Sequence, residues 1–206
     1  MIVSDIEEFD KKRCKVFIDG EFAFVLYKGE LKDYAIKVGS ELPGAAYSEI
    51  MNTLLAKRCK LRAMNLLQKK DYTEKQLRDK LKEGLYPDDT VNEAIDYVKS
   101  FRYLDDERFA RDYITYHMPM RSKNRISQDL TSKGIDKEII VSVLDELYSE
   151  ADSDVELEQI KKLLVKKHYV KDQADFKEKQ KLMAFLLRKG FQISEIRKAM
   201  DIEYYE

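Results

Sequence analysis

Residues 12–27 alternate between apolar and polar positions. Cys14, Val16 and Ile18 fall on one side of an extended chain, Asp19-Gly20 supplies a two-residue turn, and Phe22, Phe24 and Leu26 follow at the same period. That pattern predicts a β-hairpin. Two strands alone are marginal in water, so either Tyr34, Ile36 and Val38 add a third extended piece or the hairpin docks on the helices that follow. Gly39 to Gly44 reads as a linker. From Tyr47 the period becomes helical, with Ile50, Leu54, Ala56, Leu61, Met64 and Leu67 predicted inward.

The helical pattern then recurs in triplets. Thr73 and Gln76 form a capping box, with Tyr72 and Leu77 as its hydrophobic staple, and Leu77 and Leu81 carry the inward face to Gly84. Pro87-Asp88-Asp89-Thr90 opens a helix that turns Val91, Ala94, Ile95 and Val98 inward. In the next triplet Asp105 caps a helix stapled by Leu104 and Phe109, and Phe109, Tyr113 and Tyr116 share a face until Pro119. Ile126 and Leu130 lead to Gly134, where a left-handed conformation ends the helix without strain. Ile135 and Ile140 then staple a helix capped by Asp136. In a third pass Val155, Ile160, Leu163 and Leu164 form one helix and Asp175 with Glu178 opens another. Leu182, Phe185 and Leu186 in that second helix run to Gly190.

The segment Gly190-Phe191-Gln192-Ile193-Ser194-Glu195-Ile196 matches Gly134-Ile135-Asp136-Lys137-Glu138-Ile139-Ile140, each reading glycine, staple, cap, apolar. Gly84, Gly134 and Gly190 lie 50 and 56 residues apart, the mark of stacked helical repeats. The expected architecture is mainly α, an elongated array of three tandem three-helix repeats with a small N-terminal β-hairpin extension. Its boundaries fall at 1–44 for the hairpin and at 45–104, 105–150 and 151–206 for the repeats. One triplet is too small to bury much alone, so neighbours must supply the rest.

Composition narrows the function. Lys+Arg of 38 against Asp+Glu of 39 leaves the chain near neutral, so no global charge announces nucleic acid or membrane. By segment the balance alternates: residues 1–50 carry −3, 51–104 carry +4, 105–150 carry −3 and 151–206 carry +1. Cys14 and Cys59 stand alone, which fits a reducing cytoplasm, and with two histidines no metal site is expected. With acidic residues from position 5 and no long apolar run, neither a signal peptide nor a membrane span is expected.

Chemistry is hard to find. No Gly-rich phosphate loop occurs, and Asp105, Asp106 and Glu107 read as first-turn residues favoured by the helix dipole rather than as metal ligands. His117 has no nucleophile beside it in sequence. The acidic end from Asp201 to Glu206 reads as a frayed terminus. What remains is cationic: Lys57, Arg58, Lys60 and Arg62; Lys69 and Lys70; Arg121, Lys123 and Arg125; Lys161, Lys162, Lys166 and Lys167. Stacking would align these groups along one surface able to track a phosphate backbone or an acidic protein groove. Tyr113, Tyr116, Tyr169 and Phe176 interleave with them, but their helical spacing reads as core rather than as a base-stacking platform.

At this point the chain resembles a known family. Tyr103-Leu104-Asp105-Asp106-Glu107-Arg108-Phe109-Ala110, followed by Arg125-Ile126, Asp129-Leu130 and Lys133-Gly134-Ile135, is similar to the central motif of the RecX regulatory proteins. Ala63-Met64-Asn65-Leu66-Leu67 and Gln76-Leu77-Arg78-Asp79-Lys80-Leu81 resemble that family's first repeat. Where the family often has a Gly-Pro pair, this chain has Ser122-Lys123-Asn124, which adds a charge. The resemblance implies a non-enzymatic inhibitor of the RecA recombinase, a cytoplasmic monomer without cofactors that lodges in the groove of the RecA–DNA filament and opposes its extension and strand exchange. The partner is then the RecA filament, with weak single- or double-stranded DNA binding beside it, and no membrane. The alternative reading is a direct DNA-binding module of helix-turn-helix type. For the RecA reading Arg121, Lys123 and Arg125 form the first contact group, set on a short turn between two helices.

Overall fold

A computed structural model describes residues 1–151 and 154–200; the acidic end from Asp201 to Glu206 lies outside them. The described chain is mainly helical with a small antiparallel sheet at its N-terminus, and it divides into two compact units, Met1–Asp105 and Asp106–Glu206.

In the first unit β1 (Val3–Glu8), β2 (Arg13–Ile18) and β3 (Glu21–Tyr27) pair in that order. Asp19 (φ 50°) and Gly20 (φ 90°) make the tight turn, both in the left-handed region that a primed hairpin turn requires. Cys14, Val16 and Ile18 are buried as their alternation predicts, and so are Phe24 and Leu26, but Phe22 is not. The register runs Val16↔Phe24 and then Phe17↔Phe22, so Ala23 is an extra residue on β3. That bulge turns Phe22 to the other side, where its ring meets Phe17 edge-on at 5.9 Å.

The third strand is not the one expected. Residues 28–33 form α1 (Lys28–Asp33), Ala35 turns the chain at φ 52°, and the sheet is completed instead by β1. Val3 is the single buried side chain of β1, so no alternation announced it. Nor is the segment from Gly39 to Gly44 a free linker. Gly39 N–H donates to the Val3 carbonyl (2.8 Å), Val3 N–H to that of Ser40 (2.9 Å) and Leu42 N–H to that of Met1 (2.9 Å), while the Leu42 side chain is buried.

The sheet does dock on helix. After α2 (Gly44–Glu49) a π-helical turn at Ile50–Leu55 places Ile50 and Leu55 in one core with Val3, Val16, Phe24 and Leu26. The wide turn shifts the phase of the α3 helix (Ala56–Leu67), so its buried side is Cys59, Ala63 and Leu66. The expected inward residue Leu61 is half exposed. With α4 (Glu74–Lys82) and α5 (Asp88–Ser100), α3 closes the first three-helix core around Leu77, Leu81, Val91, Ile95 and Val98. Thr73 caps α4 by the reciprocal bonds its capping box predicts, at 3.2 and 3.3 Å.

The second unit holds two further triplets, each with its own core. One comprises α6 (Asp106–His117), α7 (Lys123–Ser132) and α8 (Lys137–Ser149) around Ile114, Ile126, Leu130 and Ile140. The other comprises α9 (Val155–Lys166), α10 (Phe176–Arg188) and α11 (Ile193–Met200) around Ile160, Leu186, Phe191 and Ile196. Ile135 with Ile140 and Phe191 with Ile196 are all buried, as the matching segments predict.

Candidate functional site

The cationic run in the first unit is split by its own contacts. Arg58 is a strut between α3 and the sheet: its guanidinium pairs with the Glu30 carboxylate, donates to the Val25 carbonyl at 3.3 Å and lies 4.7 Å over the Tyr27 ring. Lys60 reaches Glu93 at 3.3 Å and sits 5.8 Å from the Tyr97 ring. Lys57 and Arg62 are exposed, Arg62 at the edge of a small cleft of mixed charge with Lys80 and Glu83.

In the second unit Arg121, Lys123 and Arg125 do not share a free turn. Ser122 caps α7 by accepting from the Arg125 N–H at 3.3 Å, so Lys123 and Arg125 belong to the helix's first turn. Arg121 donates to Asp129 at 2.6 Å and to the Tyr113 hydroxyl at 3.0 Å, and Arg125 lies 3.3 Å from the other Asp129 oxygen. One carboxylate thus holds two guanidiniums. Lys123 turns toward α8, donating to Asp145 at 2.7 Å beside the Tyr148 ring. Burial, then the nearby Asp129, raises the Tyr113 hydroxyl pKa. Burial, then Arg121, lowers that of His117, whose ring packs 4.2 Å from Tyr113. Of the aromatics expected in the core, Tyr113 and Tyr169 are partly buried, but Tyr116 (69% exposed) and Phe176 (76% exposed) face solvent because both lie off the apolar stripe of their helices.

Arg121 and Arg125 meet three further cations across a cleft of about 620 Å³: Lys162 from α9, and Arg188 and Lys189 from the end of α10. No carboxylate lines it among the described residues. Lys161 is drawn off to Glu158 at 3.0 Å, and Lys166 and Lys167 are exposed outside this cleft, with Lys167 over the Phe185 ring. Arg188 and Lys189 are not among the basic groups that the sequence pattern singles out. The signal was the Lys-Gly pair: Lys189-Gly190 repeats Lys133-Gly134 at the stop of the middle helix.

The rim of the cleft is locked by backbone geometry. Gly190 has φ 91°, and a Cβ there would stand 2.6 Å from Ser122 Oγ. Ser122 Oγ–H donates to the Lys189 carbonyl at 2.8 Å and Asn124 Nδ2–H to that of Gly190 at 3.0 Å, so both rim carbonyls are occupied. Lys123 N–H donates to Glu156 at 3.0 Å, and Gln159 Nε2–H donates to the Met118 carbonyl. Together these bonds fasten the start of α7 to α9 and to the α10 stop. Such an arrangement can hold an anion. Among the described residues no cluster of three His, Cys, Asp or Glu side chains suits a metal, and no helix is long and apolar enough to cross a membrane.

Comparison with known proteins gives a consistent result. The family models described as the first, second and third three-helix domains of RecX match residues 59–97, 105–144 and 154–200. The chain is 33% identical to the regulatory protein RecX of Caldanaerobacter subterraneus subsp. tengcongensis, covering 98% of this chain and 100% of that one. It is 30% identical to the regulatory protein RecX of Clostridium perfringens strain 13, covering 98% and 97%. A crystal structure of regulatory protein RecX superimposes with a TM-score of 0.65 at 26% identity, covering 98% of this chain and 99% of that one. The RecX structure from Lactobacillus salivarius supports the fold, with a TM-score of 0.63 at 24% identity over 71% of this chain and 95% of the other. With three RecX domains in tandem and relatives named regulatory protein RecX matched along nearly its whole length, this chain belongs to the RecX family.

Proposed function

We propose that this protein is a non-enzymatic regulator that binds the RecA–DNA filament in its groove and inhibits the recombinase by opposing filament extension and strand exchange. The observation that carries the reading is the end-to-end match to proteins named regulatory protein RecX, a match that includes the N-terminal sheet as well as the three helical domains. The charge distribution supports it. Cations gather at the cleft of the second unit with no acidic lining among the described residues, which favours a strongly anionic partner surface, and charge complementarity of this kind speeds and orients association more than it adds raw affinity. Short repeated helical domains suit a broad contact better than a deep reaction site.

RecA's DNA-dependent ATP hydrolysis, measured with and without the protein, tests this together with co-sedimentation on RecA-coated single-stranded DNA. The expected result is binding to the filament with a lowered hydrolysis rate. An unchanged rate with no co-sedimentation ends the proposal.

A further inference from the structure

We propose that the cleft between the β1–β2 turn and the α3–α4 helices is a binding site for a compact phosphate anion such as pyrophosphate, held by Lys12 and Arg62 with Arg13 and Lys80 beside them. All of these groups lie in the first unit, and the RecA reading does not depend on them.

The wall of this cavity of about 440 Å³ carries four cations and two carboxylates. Both carboxylates are already occupied. Asp10 Oδ2 takes the Arg13 Nε–H at 2.8 Å and its Nη2 at 2.7 Å, and Asp10 Oδ1 accepts the N–H groups of Lys12 and Arg13, each at 2.9 Å. Glu83 holds Lys80 with both oxygens, at 2.8 and 2.9 Å. Lys12 and Arg62 are left over: among the described residues neither side chain has an acidic partner. The Glu83 hydrogen bond raises the Lys80 pKa and the Arg62 charge acts against it, so Arg62 is felt across the cavity. Two positive charges in excess match a small multivalent anion, and guanidinium with ammonium donors suits phosphate oxygens.

The shape is built before any ligand arrives. Phe9 N–H and Asp10 N–H both donate to the Arg13 carbonyl, at 3.0 and 3.1 Å, and Lys28 N–H donates to that of Lys12 at 3.0 Å, which fixes the turn that carries two of the cations. On the opposite wall Leu85 takes φ 56°, and the edge of the Tyr86 ring lies against Gly84, 2.8 and 3.0 Å from where a Cβ would stand. A side chain at residue 84 would displace that ring. Burial raises the Tyr86 hydroxyl pKa, with Arg58 and then Arg13 acting against it, so a neutral O–H donor stands near the cations. The carboxylates also decide what fits. Asp10 and Glu83 have side chains 42% and 63% exposed, so fixed negative charge stands on the solvent side of the cavity. An extended polyanion meets that charge with its next phosphates, whereas a compact one lies wholly between the cations.

Isothermal titration calorimetry of the full chain with sodium pyrophosphate at fixed ionic strength is the test, with ADP and a fifteen-residue oligothymidylate as further titrants. Lys12→Gln and Arg62→Gln, both at exposed positions, should each weaken pyrophosphate binding roughly fivefold or more. Gly84→Ala should weaken it with no change of charge, whereas Lys137→Gln, at an exposed position of α8, should change it less than about twofold. Circular dichroism melts of each variant confirm folding, and Tyr86→Phe, which keeps the ring and loses the donor, serves if Gly84→Ala does not fold. Similar binding of ADP and pyrophosphate assigns the site to a diphosphate group, and binding of pyrophosphate alone assigns it to the free anion; both support the proposal. No binding of pyrophosphate, or its loss in Lys162→Gln instead of Arg62→Gln, overturns it. So does an oligothymidylate affinity that falls in Lys12→Gln and Arg62→Gln as far as the pyrophosphate affinity does, since the cleft then belongs to a strand.

Discussion

Ser122 Oγ lies 2.6 Å from the point where a Cβ on Gly190 would stand, and the same hydroxyl donates to the Lys189 carbonyl next to that glycine. It also accepts from Arg125 N–H, so two hydrogen bonds pin the oxygen and it cannot step aside. The second and third triplets meet at this contact because residue 190 has no side chain and takes φ 91°.

Gly190→Ala is therefore expected to cost about 2–3 kcal/mol, since left-handed backbone and a steric clash act together. In a Ser122→Ala background the clash is gone and the backbone strain remains, so the same substitution should cost less by about 1 kcal/mol. Urea unfolding of the four proteins in this cycle measures the coupling. Strict additivity would show that Ser122 and Gly190 do not constrain each other.

The first triplet shows how such a stop can be misread in sequence. Gly84 sits one residue earlier than Gly134 and Gly190 relative to the leucine before it, and its φ is not positive. Leu85 takes the left-handed position instead, at φ 56°. The count from Leu81 to Leu85 then equals that from Leu130 to Gly134 and from Leu186 to Gly190. Repeats, caps and staples were legible because each is set by neighbours in sequence. β1, the bulge at Ala23 and the phase of α3 were not, because they depend on a partner strand or a π turn that alternation does not encode. The cleft was legible by half: Arg121, Arg125 and Lys162 stood out in basic runs, but Arg188 and Lys189 join them only once Gly190 docks on Ser122.

Arg58 separates a cation that builds the fold from one that serves a partner. Both it and Glu30 are mostly buried, with side chains 17% and 20% exposed, so Arg58→Ala leaves a carboxylate unpaired at the edge of the sheet. A loss of about 2–3 kcal/mol is expected, with Arg58→Lys recovering part of it through the charge but not the fork or the stacking on Tyr27. Thermal unfolding checks this. A melting temperature unchanged in Arg58→Ala would remove the strut.

Two carboxylates at the start of α9 should respond to pH with opposite signs. Asp154 accepts from the Leu157 N–H at 3.2 Å and from Lys198 at 3.1 Å, and the first of these leads in holding its pKa below the usual carboxylate range. Its contribution is present above its ordinary value of 3.8 and is lost as pH falls through the lower folded value. Burial raises the pKa of Glu156, against the Lys123 N–H that lowers it, so ionising Glu156 costs stability as pH rises from 4.5 through its folded value. At pH 7 Asp154→Asn should therefore destabilise the protein, while Glu156→Gln, which still accepts from Lys123, should stabilise it and remove that part of the pH slope. Denaturant midpoints of both variants at pH 4 and pH 7 decide it; the same sign of change in both at pH 7 would contradict the assignment.

Asp129 sets stability against binding. Its two oxygens hold Arg121 at 2.6 Å and Arg125 at 3.3 Å, and its own side chain is only 16% exposed. Asp129→Asn keeps the shape and one acceptor but removes the counter-charge behind the cleft, so the cations lining it face an incoming phosphate with less competition. Stability should fall by about 1–2 kcal/mol as the charge-assisted bonds weaken. Affinity for RecA-coated single-stranded DNA should rise severalfold at low salt, and this advantage should shrink as salt screens the added charge. Co-sedimentation titrations on RecA-coated single-stranded DNA at two salt concentrations, set beside urea unfolding, read both effects. Weaker binding at both salts would mean that Asp129 serves chiefly to aim the two guanidiniums, and that their alignment matters more to the site than its net charge.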